Sequence, residues 1–278
     1  MPQPSTPPFY RRQFGVKLRR LREKAALTLD DAAARLDMTR SALHRVETGL
    51  TRVNVHLTQS MMDLYDTDDQ ELLDEAREAM KQPWYRPFGL ANTWHIDVET
   101  KAIQVKDFSP RAIPELLQTE QYASALFTSQ RSPAPENQVA VLKVRQQRLV
   151  DATDPLQLIA VVDELTLRRM VGGPAIMRSQ LLSLVTSAKL TTVTLRVLPY
   201  GSDITASTMG AFTLGMMSDT AVPTLLHIEH VAGSQYVDDT EQLQSAMHTF
   251  EQLCAQTLSP ADSINLIETI ATGLIRHG

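Results

Sequence analysis

Cysteine is nearly missing from this sequence of 278 residues: Cys254 stands alone. A lone thiol excludes an internal disulfide framework and any zinc site built on several thiolates, and it fits a reducing compartment. Long hydrophobic runs are missing too. The longest, such as Leu158–Val162, fall far short of the roughly 18 apolar residues that cross a bilayer. The opening MPQPSTPPFYRR puts prolines and arginines where a secretory signal needs an apolar stretch. No GxSxG elbow occurs, and no internal repeat or low-complexity tract stands out. What remains is a soluble, cytoplasmic chain, 43% hydrophobic and 21% charged, about twice the usual single-domain length. Two domains are expected. Nothing in the sequence demands catalysis, a cofactor or a metal.

Charge is present but unevenly spread. The net charge is −5, yet residues 1–66 hold 11 Lys/Arg against 7 Asp/Glu, while the remainder holds 16 against 25. The sharpest cluster runs from Arg11 to Lys24, where Arg11, Arg12, Lys17, Arg19, Arg20, Arg22 and Lys24 face only Glu23. Such a block serves either as a polyanion-binding face or as a solvated helix surface. A basic head on an acidic body means that only the head meets a polyanion.

The periodicity places a loose Pro- and Ser-rich arm at 1–8 and a first helix at about 9–25, on Phe14, Leu18, Leu21 and Ala25. Thr28 reads as the N-cap of a short second helix, Leu29 to Leu36, with Asp30 and Asp31 in the dipole-favoured first turn. A tight turn follows at Asp37-Met38. Thr39 caps a third helix from Arg40 to about Thr48, stopped by Gly49. Helices at Asn54–Tyr65 and Asp69–Met80 complete a helical head at 9–80. The pattern breaks at 81–93, KQPWYRPFGLANT, which is the expected hinge. A larger body, 94–278, then mixes strands and helices. Strands are expected at Ala102–Phe108, Leu156–Val162, Thr192–Leu198, Ala211–Met217 and Thr224–Glu229. Helices are expected at Pro114–Phe127, Glu136–Val150, Glu164–Met170, Pro174–Ala188, Glu241–Leu258 and Pro260–Ile275. The fold class is therefore α plus α/β, with a sheet of about four or five strands.

The most informative stretch is Thr28–Gly49, TLDDAAARLDMTRSALHRVETG. Two short helices meet across a three- to four-residue turn. Ala33 is small where they must cross, and Leu36, Leu43 and Val46 face inward. Arg40, Ser41, His44 and Arg45 fall on the opposite side of the third helix. A helix that presents those donors while burying its other face can enter a major groove. An ordinary small helical bundle with a polar surface would read the same way.

Arg22, Thr28-Leu29, Ala33, Leu36, Thr39-Arg40-Ser41, Leu43 and Arg45-Val46-Glu47-Thr48-Gly49 together resemble the Xre-type helix-turn-helix of the phage-repressor class. The resemblance implies a five-helix domain whose third helix binds double-stranded DNA. It implies base contacts from Arg40, Ser41, His44 and Arg45, phosphate contacts near Thr28 and Thr39, and a structural ion pair between Arg22 and Glu47. Lys17 is a further candidate for the phosphate backbone, on charge alone. Leu29 departs from the polar residue usual at its position, and Ala26 and Asp37 replace glycines usual at turns.

The body resembles the C-terminal domain of WhiJ-like regulators of actinobacterial type. The resemblance rests on Ile113–Ala123 (IPELLQTEQYA), Arg145-Gln146-Gln147-Arg148, Asp163-Glu164-Leu165, Leu167-Arg168, Val171–Pro174 (VGGP) and Val197-Leu198-Pro199. Glu115 stands where that family usually has Gly. The resemblance implies a DNA-binding regulator whose C-terminal chemistry is unsettled and whose gene commonly accompanies one for a small acidic partner protein, compatible with a partner-controlled or an antitoxin- or immunity-like role that autoregulates its operon.

Other candidates in the body are weaker. His227-Ile228-Glu229-His230 lacks convergence, since on a strand His227 and Glu229 share a face that His230 does not. Val171–Pro174 lacks the Lys-Ser/Thr and the GxGxxG spacing of a phosphate cradle and reads as a helix-to-helix turn. Arg145, Arg148, Asp163, Glu164 and Arg168 mark either a ligand pocket at the carboxyl end of the apolar strand or a salt-bridge network tying helix to sheet. The expected protein is a sequence-specific, dimeric transcriptional regulator, its body sensing a partner protein or a small-molecule effector. An enzyme acting on a nucleotide-like substrate through that pocket is the remaining alternative.

Overall fold

A computed structural model describes residues 7–90, 93–202, 209–217, 224–230 and 233–274, and the chain divides into two compact units, Met1–Asp97 and Val98–Gly278. In the first unit five helices form the head: α1 (Phe9–Lys24), α2 (Leu29–Arg35), α3 (Arg40–Glu47), α4 (Val55–Leu64) and α5 (Gln70–Met80). Side chains cap four of them. The Thr28, Thr39 and Asn54 oxygens accept the amides of Asp31, Ala42 and Leu57, and Asp69 accepts those of Glu71 and Leu72. Each cap satisfies donors that the first helical turn leaves orphaned. Phe14, Leu18, Ala33, Leu43, Val46, Met61 and Leu72 meet in one buried core.

Two glycines permit this packing. A side chain at Gly15 would bring its Cβ within 2.6 Å of the Val46 carbonyl oxygen, so α1 and α3 cross at backbone contact. Gly49 adopts φ 73°, and a Cβ there would lie 2.7 Å from Arg12 Cα, so the turn after α3 rests directly on α1. The two turn positions that lack the usual glycine are also left-handed: Ala26 at φ 55° and Asp37 at φ 53°. Leu27 N–H reaches back to Arg22 O and Met38 N–H to Ala33 O, the six-to-one closure of a Schellman end. Ala26 carries the cost of a Cβ in that region.

Residues 81–90 and 93–97 belong to the same unit and are anchored, not free. A short 3-10 turn spans Arg86–Phe88, and α6 runs Trp94–Lys101, with the division between units falling after Asp97. The buried Asp97 carboxylate accepts the Phe9 amide at 3.1 Å and the Tyr85 hydroxyl at 2.9 Å, while Trp94 Nε1 donates to Pro7 O at 2.8 Å. The aromatic side chains thus fasten this segment to the start of α1.

The second unit is built on a six-stranded sheet of order β3-β2-β1-β4-β5-β6. Its strands are β1 (Gln104–Ser109), β2 (Gln157–Asp163), β3 (Val193–Leu198), β4 (Phe212–Met216), β5 (Leu225–His230) and β6 (Gly233–Val237). β1, β2 and β3 are parallel, and β4, β5 and β6 add antiparallel pairs. The helices are α7 (Glu120–Ser129), α8 (Pro135–Gln147), α9 (Glu164–Leu167), α10 (Pro174–Ser187), α11 (Thr240–Gln256) and α12 (Pro260–Gly273). One sheet face, with Phe108, Val161, Leu214 and Leu226, packs on Leu243, Phe250 and Leu253 of α11. The outer edge of β3 is covered: Val197 N–H donates to Ser263 Oγ, and Leu258 N–H to Val197 O.

Several expected elements change. The single helix at Pro114–Phe127 is two pieces, a 3-10 turn at Glu115–Leu117 and then α7 capped by Thr119. The buried Gln180 side chain explains the break, since it accepts the Thr119 amide at 2.6 Å and donates to Leu117 O at 2.8 Å in place of helical bonds. The helix at Glu164–Met170 stops at Leu167, ahead of two left-handed glycines, Gly172 and Gly173. The sheet gains β6, and α6 was not expected. The end of the last expected helix, Ile275, lies outside the described residues.

Two outcomes are expected in the first unit. Ala26→Gly should stabilise it by up to ~1 kcal/mol by removing the left-handed Cβ strain. Burial raises the Asp97 carboxyl to about 6, against the pull of the Phe9 amide, Tyr85 hydroxyl and Arg86. The folded state therefore holds this proton more tightly than the unfolded chain does. Stability from Asp97 is complete below about pH 4 and is lost as the pH rises through 6. Denaturation followed by the fluorescence of Trp84 and Trp94, the chain's two tryptophans, should show a flatter pH profile from 4 to 6 in Asp97→Asn. Parallel profiles for the two proteins would refute the assignment.

Candidate nucleic-acid interface

The third helix is short. Its eight residues span about 12 Å, and it is held from behind by buried Leu43, Val46 and Glu47. Arg40, Ser41, His44 and Arg45 are all exposed on its other side. The spacing i, i+1, i+4, i+5 gathers them into one stripe. Arg40 lies 3.3 Å from Asp30, with both side chains about 70% exposed, and Arg45 Nε donates to Thr51 Oγ1 at 3.3 Å. Pairs this exposed contribute little, so both guanidinium groups can exchange their partner for another acceptor at small cost.

The position of α3 is set by one buried pair. Arg22 Nε and Nη2 donate to Glu47 Oε1 and Oε2 at 2.6 and 3.0 Å, and Nη1 donates to Leu27 O at 2.8 Å. This fork joins α1 to the last turn of α3 and also holds the turn before α2. Tyr65 lies beside the pair, and burial followed by the Glu47 charge pushes its hydroxyl up to about 12. Arg22 is thus taken up inside the head.

The remaining expected contacts differ in their setting. Thr28 Oγ1 accepts the Asp31 amide and donates to Asp31 Oδ2 at 2.6 Å, so its hydroxyl is committed to the cap and stands among acids. Thr39 Oγ1 accepts the Ala42 amide at 3.2 Å. Lys17 turns toward α5, donating to Glu75 at 2.8 Å with Asp69 at 3.6 Å. Its charge is already answered there, which argues against a phosphate role. Sequence reading passed over Arg52, exposed in the turn after α3, because an isolated arginine in a loop carries no periodic signal.

In the second unit, the five residues read as either a ligand pocket or a salt-bridge network fall into two groups, and none of the bonds among the described residues joins one group to the other. Arg145 forms a bidentate pair with the buried Glu99 at 2.7 and 2.8 Å and bonds Glu115 at 2.5 Å. Arg148 donates to Glu99 O and Ala102 O and pairs with Asp154. Elsewhere, Asp163 caps α9 through the Leu165 amide, while Glu164 pairs with Arg168 and accepts the Tyr200 amide. These bonds tie α8 to α6 and α9 to the loop after β3.

A row of polar side chains crosses the sheet, of which the sequence had singled out only His227: the register sets Asp107 beside Thr213, Thr213 beside His227, and His227 beside Tyr236. His227 and Tyr236 stack at 5.0 Å. Burial, together with Glu115, Glu229 and Glu99, pushes Asp107 up to about 7 against its bond from Ser109. Asp107 gave little signal, because β1 reads QVKDFS and is itself mostly polar. Among the described residues no three His, Cys, Asp or Glu side chains gather as a metal site, and no helix is long and apolar enough to cross a membrane. A cavity of about 290 Å³, almost wholly apolar, opens between β4, β5 and α11, where Met209, Phe212, Leu226, Ile228 and Ala246 line it.

Glu47→Ala is expected to destabilise the head by about 3–5 kcal/mol, because it strands the buried Arg22 guanidinium. A fall in the tryptophan-monitored unfolding midpoint checks this, with Glu47→Gln falling less. An unchanged midpoint would remove the pair from its structural role.

Comparison with known families finds two matches. Residues 13–76 match a helix-turn-helix domain, and residues 94–269 match a domain of unknown function, DUF5753. Comparison with curated proteins and with solved structures finds no match. The first match covers α2 to α4 with most of α1 and α5, and marks a DNA-binding regulator. The second covers more than half of the chain, so the protein belongs to the DUF5753 family and carries that domain behind a helix-turn-helix head.

Proposed function

We propose that the protein is a sequence-specific transcriptional regulator of the Xre type, close to the WhiJ-like proteins, acting in the cytoplasm as a dimer. Its C-terminal domain answers to a partner protein or small ligand and is not an enzyme. One observation carries the reading. The exposed stripe of Arg40, Ser41, His44 and Arg45 stands on a helix whose opposite face is locked into the core through Leu43, Val46 and Glu47. Arginine forks match the O6 and N7 acceptors of guanine, and serine and histidine add hydrogen bonds to base edges.

A helix of two turns reaches only a few base pairs, too few for a useful specificity ratio, so a dimer on two half-sites about 34 Å apart fits the head best. The 290 Å³ apolar cavity of the second unit supports the sensing role, being of a size to take a small apolar ligand. The acidic balance of the body keeps it off the DNA.

Arg40→Ala and Arg45→Ala should each lose ~1–3 kcal/mol of specific binding for every base contact removed, while binding to unrelated duplex changes little. Mobility shifts with DNA selected from a random pool provide the measurement. Wild-type affinity in both variants would overturn the assignment of the stripe.

A further inference from the structure

Three arginines meet beside the recognition helix, and among the described residues none of them has a carboxylate to bond. Arg11 lies near the start of α1, Arg52 in the turn after α3, and Arg86 opens the 3-10 turn at 86–88. Two contacts bring them together. The Gly49 turn rests on the α1 backbone, where an added Cβ would stand 2.9 Å from Arg11 O. The Tyr85–Asp97–Phe9 bonds, with Trp84 packed edge-on against Tyr85 and Phe88, fasten the 3-10 turn to the same end of α1.

Arg52 and Arg86 are exposed, and Arg11 is half-buried with its Nε enclosed and given no acceptor. Among the described residues no ion pair involves any of the three, although Asp97 lies within electrostatic reach of Arg86. Burial first, then the fields of Arg52 and Arg86, pull the Arg11 guanidinium below its ordinary pKa. Like charges held together by the packing of three separate segments are unfavourable in the free protein. An oxyanion placed between them would relieve that repulsion and give the buried Nε an acceptor.

We propose that Arg11, Arg52 and Arg86 form a clamp for a backbone phosphate of the bound duplex, set beside the C-terminal end of the recognition helix. The inference rests on the DNA-binding reading above and adds Arg86, a residue beyond the matched helix-turn-helix segment of 13–76. A phosphate clamp fixes where the helix sits in the groove and is blind to sequence.

Affinity of the full chain for a selected operator and for an unrelated duplex, measured from 50 to 300 mM salt, tests the clamp. In Arg86→Ala, and likewise in Arg52→Ala, the logarithmic salt slope should become shallower, by at most about 0.9, since the clamp holds a single phosphate. Affinity should fall by the same factor on both duplexes, and Arg86→Lys should restore most of the slope. Unfolding midpoints at low salt should hold or rise in the alanine variants, since each removes an opposed charge, whereas a merely structural arginine would lower them. An unchanged slope with the wild-type chain binding DNA overturns the clamp alone, and so does a weakening confined to the operator. Inorganic phosphate, added at constant ionic strength, provides a second arm. A micromolar stabilisation of the wild type that disappears in Arg86→Ala assigns the site to a free anion and overturns the backbone proposal. A wild-type chain that ignores every duplex overturns the clamp together with the regulator reading.

Discussion

The head depends on the fork between Arg22 and Glu47. α2 and α3 are seven and eight residues long, too short to persist alone, so their orientation has to come from tertiary contacts. Apolar contacts among Leu18, Leu43 and Val46 supply attraction without direction. The ion pair supplies direction: two parallel hydrogen bonds fix Glu47 at the end of α3 relative to α1, and the third, to Leu27 O, fixes the entry into α2. With Gly15 allowing backbone contact on the same face, α3 has one available position, and its polar stripe is presented by default. A buried pair of this kind is weak as a source of stability and strong as a source of uniqueness.

The second unit uses the same device for a different purpose. Arg145 and Glu99 form a second buried fork, linking α8 to α6, and Glu115 adds a further carboxylate. Around it the sheet face turns polar, with Asp107, Thr213 and His227 in one row, while the opposite face is apolar against α11 except for Lys106, which lies over Phe250. The two faces thus carry different chemistry. The apolar one holds the core and a cavity, and the polar one spends its charges on internal bonds.

Much of the head could be read from the chain because its signals are local. Thr28, Thr39, Asn54 and Asp69 announce their helices one residue ahead, and Gly49 announces the stop. The Arg22–Glu47 pair and the exposed stripe followed from resemblance together with helical spacing. Long-range effects were hidden. Gln180 breaks a helix 61 residues away through two side-chain bonds, and no window around residue 118 contains it. α6 buries Ile96, Asp97, Val98 and Glu99 in succession, so it has no polar stripe for periodicity to find. β6 is short, begins at a glycine and carries three exposed residues, which leaves no alternation to detect. The Arg11, Arg52 and Arg86 meeting likewise depends on three segments far apart in sequence.

The fork between positions 99 and 145 also governs how this domain can diverge. Losing Arg145 alone would bury an unanswered carboxylate, and losing Glu99 alone would leave Arg145 only the partly exposed Glu115, whereas replacing both with fitted apolar side chains can be nearly neutral. The two sites should therefore pass between lineages as a single heritable character, kept together or exchanged together, while exposed neighbours such as Lys143 and Glu120 drift independently.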